Sequence, residues 1–90
     1  MPGRRQRKVL EMVLGGRSDA NLAFLDLLNL LHAWGFSQRI SGSRHIIWKE
    51  GVIEIMNLQP RGPKAKPYQV RQVRNILMKY GLGANDDQPL

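Results

Sequence analysis

The sequence predicts an α+β fold: a small three-stranded antiparallel sheet with two helices packed on one face, in the order α-β-β-β-α, preceded by a short N-terminal helix. Three observations predict it. Apolar residues recur at helical spacing in two separate stretches, residues 24–31 and 70–77. Between them, residues 36–58 hold three short runs rich in β-branched side chains, divided by glycine-containing pairs that read as tight turns. Ninety residues suffice for a single domain, so all these elements must share one core.

Residues 1–8, MPGRRQRK, are polar and basic and contain Pro and Gly, so they read as a flexible basic arm ahead of a folded core at 9–82. Val9, Leu10, Met12, Val13 and Leu14 support a short helix that Gly15-Gly16 stops. In the next segment Ser18, Asp19 and Asn21 are candidate N-caps. Phe24, Leu27, Leu28 and Leu31 then form a helical stripe, with Trp34 at its end and Gly35 as its stop. Residues 36–40 alternate like a half-buried strand, Gly42-Ser43 turns the chain, and residues 44–49 form a second strand. Glu50-Gly51 signals a further hairpin into a third strand at 52–58. Residues 59–66, QPRGPKAK, are expected to form no continuous ladder, since two prolines and a glycine interrupt them. Pro67 suits the first position of a helix, whose apolar stripe is Val70, Val73, Ile76, Leu77 and Tyr80 and whose end is Gly81. Residues 83–90 read as a polar tail.

Composition removes several kinds of chemistry. Cysteine is absent, which excludes disulfide scaffolds, thiolate zinc sites and cysteine nucleophiles. Only two histidines are present, so no His-rich metal site is expected. The most apolar region, residues 22–34, is interrupted by Asp26, Asn29 and His32 and is shorter than the ~20 apolar residues of a membrane span. No signal peptide is apparent, and a soluble chain is expected. The charge is more telling. Fourteen basic residues face seven acids, with a pI near 10.6. Residues 36–80 hold nine of the basic residues against only Glu50 and Glu54. Clustering of this kind points to a polyanionic partner, most often nucleic acid.

His45 is the main candidate for chemistry. It follows the Gly42-Ser43 turn and opens a β-branched run, SGSRHIIW. By the period of two, His45, Ile47 and Lys49 share one strand face and Arg44, Ile46 and Trp48 the other; both faces are mixed, so periodicity does not settle which is buried. Two readings stand: a strand histidine with no chemical role, or an imidazole that moves protons on a phosphodiester near neutral pH. In RNA cleavage the 2′-hydroxyl must lose a proton and the leaving 5′-oxygen must gain one. A Ser43–His45 hydrolase pair has no acidic orienter and no Gly-x-Ser-x-Gly elbow, which argues against it. His32 reads as a partly buried helix residue, and Glu54 as part of a solvated strand face. The densest basic cluster comprises Arg61, Lys64, Lys66, Arg71 and Arg74, suited to positioning phosphates. Tyr68 and Trp48 are suited either to stacking on bases or to the core.

Four features taken together carry a family resemblance: Gly42-Ser43-x-His45 opening the second strand, the helix end HAWGF, the run NLQPRGPKAKPYQVRQVRNIL, and the close KYGL. Over roughly residues 9–82 the chain resembles the HicA-type mRNA interferases, toxins of bacterial and archaeal toxin–antitoxin systems. The resemblance implies a fold like a double-stranded-RNA-binding domain and a cytoplasmic, type II toxin. It implies a metal-independent endoribonuclease, without cofactor, that cleaves mRNA through a single catalytic histidine. It also implies neutralisation by a HicB-type antitoxin covering the site. His45 is the one position matching the family's catalytic histidine, with Gly42 and Ser43 shaping the site and Arg44, Lys64, Lys66, Arg71 and Arg74 gripping RNA. Many relatives carry a second histidine where this chain has Arg44. A non-catalytic double-stranded-RNA-binding module is the alternative, and the free chain's oligomeric state is left open, a monomer being compatible with its size.

Overall fold

The computed structural model describes residues 3–82; the polar tail expected at 83–90 lies outside them. Helix α1 (Arg4–Gly15) takes in most of the stretch read as a flexible arm. Past Gly3, the run RRQRK consists of good helix formers. Arg5 Nη2 also donates to Asp26 Oδ2 at 2.7 Å, tying the first turn to the helix that follows in the chain. The folded part therefore begins near residue 4 rather than 9. Val9, Leu10 and Val13 are buried, and Gly16 closes the helix with its N–H on the Met12 carbonyl.

Helix α2 (Phe24–Ala33) buries Phe24, Leu27, Leu28, Leu30 and Leu31. None of the expected caps, Ser18, Asp19 or Asn21, serves it. Ala23 is its N-cap residue, and the Phe24 N–H donates instead to the Pro63 carbonyl at 3.0 Å. A partner distant in sequence has replaced the local side-chain cap.

Strands β1 (Ser37–Ser41), β2 (Arg44–Lys49) and β3 (Val52–Leu58) form one antiparallel sheet in the order β1-β2-β3. Gly42, first of the two turn residues between β1 and β2, has φ +62°, a conformation that favours glycine and that tight hairpins require. This turn sets the register: Ile40 lies opposite His45 and Gln38 opposite Ile47. Across the other ladder His45 faces Leu58 and Ile47 faces Met56. Ile47, Met56 and Leu58 are fully buried, so their face is the one the helices cover. Trp48, Ile53 and Ile55 belong to the opposite face and are exposed.

Residues 59–66 form no long ladder, as expected, yet they are more ordered than a loop. Short strands β4 (Pro60–Arg61) and β5 (Lys64–Ala65) pair around a Gly62-Pro63 turn. Pro60 stands at the start of its strand and Pro63 in the turn, positions where a missing N–H is tolerated. This small hairpin is stitched to the segment ahead of α2: the Ala65 N–H donates to the Leu22 carbonyl at 2.9 Å, and Lys64 bridges Ala23. Helix α3 (Pro67–Lys79) starts on proline and buries Val70, Val73, Ile76 and Leu77 together with one polar side chain, Gln69. Side chains from the three helices, β2, β3 and β5 join in a single apolar core.

Candidate functional site

The question that periodicity left open for His45 is answered by register. Pairing against Leu58 puts the imidazole on the covered face, but at the sheet's end, where cover is incomplete and the residue is half-buried. The ring is held from two sides. The Phe24 ring meets it edge-on at 5.0 Å between centroids with a 70° interplanar angle. On the other side, Nδ1 lies 3.2 Å from Gln38 Oε1. An amide oxygen accepts, so this contact selects the tautomer with hydrogen on Nδ1 and leaves the lone pair on Nε2. Nε2 has no hydrogen-bond partner among the described residues.

Beside the imidazole runs an open groove of about 460 Å³. One wall is the start of α2, with Ala23, Phe24 and Leu25; the other is the β4–β5 hairpin, with Pro60, Gly62 and Pro63; His45 completes the lining. The groove exists because the hairpin is stitched to the entry of α2, which fixes the distance between the two walls. A hollow of similar size on α1, bordered by Lys8, Glu11 and Arg17, contains no histidine.

The surroundings of His45 are braced by amides. Gln59 Nε2 donates to Ser43 Oγ at 3.2 Å, which joins the β1–β2 turn to the exit of β3. Gln69, only 2% exposed, reaches from α3 to that exit. Its Oε1 accepts from the Gln59 N–H at 3.3 Å, and its Nε2 donates to the Asn57 carbonyl at 3.3 Å and to the Tyr68 hydroxyl at 3.4 Å. Buried polar groups must be satisfied, and here the satisfaction anchors the loop leading into the hairpin. Gln38, Gln59 and Gln69 escaped the sequence reading because isolated glutamines carry no pattern. Gln38 alone had a usable signal. A two-residue turn at Gly42-Ser43 sets 40 opposite 45, which makes 38 the same-face diagonal neighbour of 45.

The cations expected to hold RNA are not one patch. Lys64 and Lys66 lie on the groove's hairpin and the residue after it, next to exposed Arg61, and among the described residues Lys64 Nζ bonds only the neutral Asn21 Oδ1, at 3.4 Å. Arg71 is exposed on α3. Arg44 is exposed, yet strand alternation turns it to the face opposite His45. Arg74 is engaged within the chain. Its guanidinium donates to both carboxylate oxygens of Asp19 at 3.1–3.2 Å and to the Val13 carbonyl at 3.0 Å. With side-chain exposures of 17% and 14%, the pair holds α3 against the segment at Asp19, and the Val13 bond holds it against the end of α1. His32, expected to be partly buried, is exposed on α2.

Glu54 also departs from its expected role on a solvated face. It accepts from Lys79 Nζ at 2.7 Å and from the Tyr80 hydroxyl at 2.6 Å. The Lys79 bond, then the Tyr80 bond, hold its carboxyl down to about 2, while the same contact pushes Lys79 up. This cluster lies at the other end of the sheet from His45. Among the described residues no group of three or more His, Cys, Asp or Glu is placed to hold a metal ion, and no helix is long and apolar enough to cross a membrane. Compared with protein-family models, curated proteins and solved structures, the chain matches none.

Proposed function

We propose that the chain is an RNA endonuclease acting through His45, in the manner of the HicA-type toxins it resembles, and that a HicB-type antitoxin holds it inactive in the cytoplasm. One observation carries the reading: the imidazole is oriented by a neutral amide, keeps Nε2 unpartnered among the described residues, and lines an open groove beneath a basic hairpin. In the reaction, the 2′-oxygen attacks the adjacent phosphorus as its proton passes to Nε2. The P–O5′ bond breaks, and the departing 5′-oxygen takes up a proton. The products are a 2′,3′-cyclic phosphate and a 5′-hydroxyl, so no water or redox partner is consumed. His45 serves one or both proton transfers. Arg44, where relatives often hold a second histidine, faces away from the imidazole and takes no part in them. Lys64, Lys66 and Arg71 position phosphates without reading sequence.

The test is cleavage of a labelled RNA oligomer by purified protein in excess chelator. Wild type is expected to leave cyclic-phosphate ends, and His45→Ala to lower the rate by about 10²–10⁴-fold. Equal cleavage by both proteins overturns the assignment. Saturable binding of double-stranded RNA with steep salt dependence and no cleavage by either would establish the non-catalytic module instead.

A further inference from the structure

We propose that the groove beside His45 seats one unpaired nucleobase, next to the bond that is cut, and so restricts the chain to single-stranded positions in RNA. The proposal rests on the endonuclease reading above.

The lining sets the chemistry. Apart from His45, every described lining residue is apolar or glycine: Ala23, Phe24, Leu25, Pro60, Gly62 and Pro63. Leu25 stands 69% exposed at the rim, an apolar side chain that the core does not use. Two prolines and a leucine are among the lining residues, so the walls offer C–H surface rather than hydrogen-bonding groups. The volume, about 460 Å³, falls in the ~300–1,000 Å³ range of small-ligand clefts. A nucleobase is flat and apolar on its faces and polar only at its edges. These walls grip faces and offer the edges no hydrogen-bonding side chain other than the imidazole, so seating tolerates any base.

Charge favours RNA over an apolar protein segment as the occupant. Arg61, Lys64 and Lys66 are carried by or adjoin the hairpin that forms one wall, so a chain whose base enters the groove draws its phosphates past them. A peptide side chain would fill the same space but make no use of these cations. Pairing excludes entry. In a duplex each base face is stacked and only its edges show, so a base reaches the groove only when it is unpaired or extruded. Since His45 itself lines the groove, the seated base belongs to one of the two nucleotides flanking the cleaved bond.

The experiment uses a single-stranded oligomer whose cut by wild type has been mapped. It is compared with the same oligomer annealed to its complement, and with versions abasic at each flanking nucleotide in turn. Abasic replacement at one flank is expected to slow cutting roughly 5–150-fold, the worth of one stacked base, and annealing to suppress it. Leu25→Ser, whose fold is verified by its melting curve, is expected to slow the intact oligomer several-fold and leave that abasic version unchanged. Equal rates on intact and abasic RNA, or a Leu25→Ser effect equal on both, overturn the base seat while the endonuclease stands. If wild type cuts nothing, the endonuclease reading fails separately. Anisotropy titration then decides the seat: equal affinity for the oligomer and for an abasic ribose-phosphate chain of the same length overturns it, and weaker binding of the abasic chain supports it. A Leu25→Ser protein indistinguishable from wild type on every RNA likewise overturns it.

Discussion

Where β2 turns into β3, charges meet charges: Glu54 accepts from Lys79 and Tyr80, and the Tyr80 hydroxyl accepts in turn from the Ile53 N–H at 3.1 Å. At the opposite end of the same sheet, the hydrogen bonds of the His45, Ser43 and Gln59 side chains among the described residues run only between neutral groups. The first end is closed in the sense that Glu54 and Lys79 are each other's counter-ion. The second is open: among the described residues Lys64 is matched by an uncharged amide, and the imidazole has a ring nitrogen to spare. Strong pairing marks where the fold is fastened, and incomplete pairing marks where a ligand of opposite charge has something to add. The same distinction separates basic residues that composition counts alike.

Arg74 offers the largest test of that distinction. Its pair with Asp19 is mostly buried, so Arg74→Met leaves a carboxylate facing the core edge without a partner. The expected cost is about 3 kcal/mol, a drop in Tm of roughly 15 °C for a domain of this size, read by thermal melting. RNA affinity of the folded fraction and its salt slope should stay as in wild type. Arg71→Ala should do the reverse, with Tm unmoved and the salt slope reduced by about one. Loss of RNA affinity from Arg74→Met without loss of stability would break the comparison.

Much of this architecture was legible in the residues because it depends on local pattern. The three strands follow from alternation between glycine-containing turns, and Pro67 marks the start of α3. What escaped depends on contacts between distant segments. Residues 4–8 extend α1 with good helix formers, and its first turn meets Asp26 across the chain through Arg5. Asp19 looked like a cap and proved to be the partner of Arg74. The groove is visible only once the β4–β5 hairpin is seen joined to residues 22–24. His45 stood out from its setting in the sequence, but its orienting partner Gln38 required the hairpin register to be worked out.

Gln38 gives the next largest effect, at the open end. As a positioning residue it acts through His45, so its loss should touch rate and not stability. Gln38→Leu frees the ring, and cleavage should fall about tenfold, in line with one hydrogen bond of ~1.4 kcal/mol, with Tm nearly unchanged. Gln38→Glu separates positioning from bulk. A carboxylate at Nδ1 favours the charged imidazolium, so the limb of the pH–rate profile that reports His45 should move to higher pH. An unshifted profile with reduced rate would mean that Gln38 does not address the imidazole.

The closed end gives the smallest effect and the clearest dependence on pH. Glu54 is held at about 2 in the folded chain against an ordinary 4.5. A carboxyl depressed on folding adds stability that is fully present above its unfolded value and lost as pH falls through the folded one. The loss therefore runs from about pH 4.5 down to about pH 2. Lys79, raised above 10.5, adds stability that is complete below that value and fades as pH climbs through its raised one. Both side chains are partly solvated, at 34% and 58% exposure, so screening keeps the effect to a few degrees of Tm. Glu54→Gln should flatten the acid limb of a Tm–pH curve, and Tyr80→Phe should flatten it in part, since one of two donors remains. RNA cleavage per folded molecule should be unchanged in both. If Glu54→Gln slowed cleavage at neutral pH, the two ends would be coupled through β3, and the fastening would be part of the site.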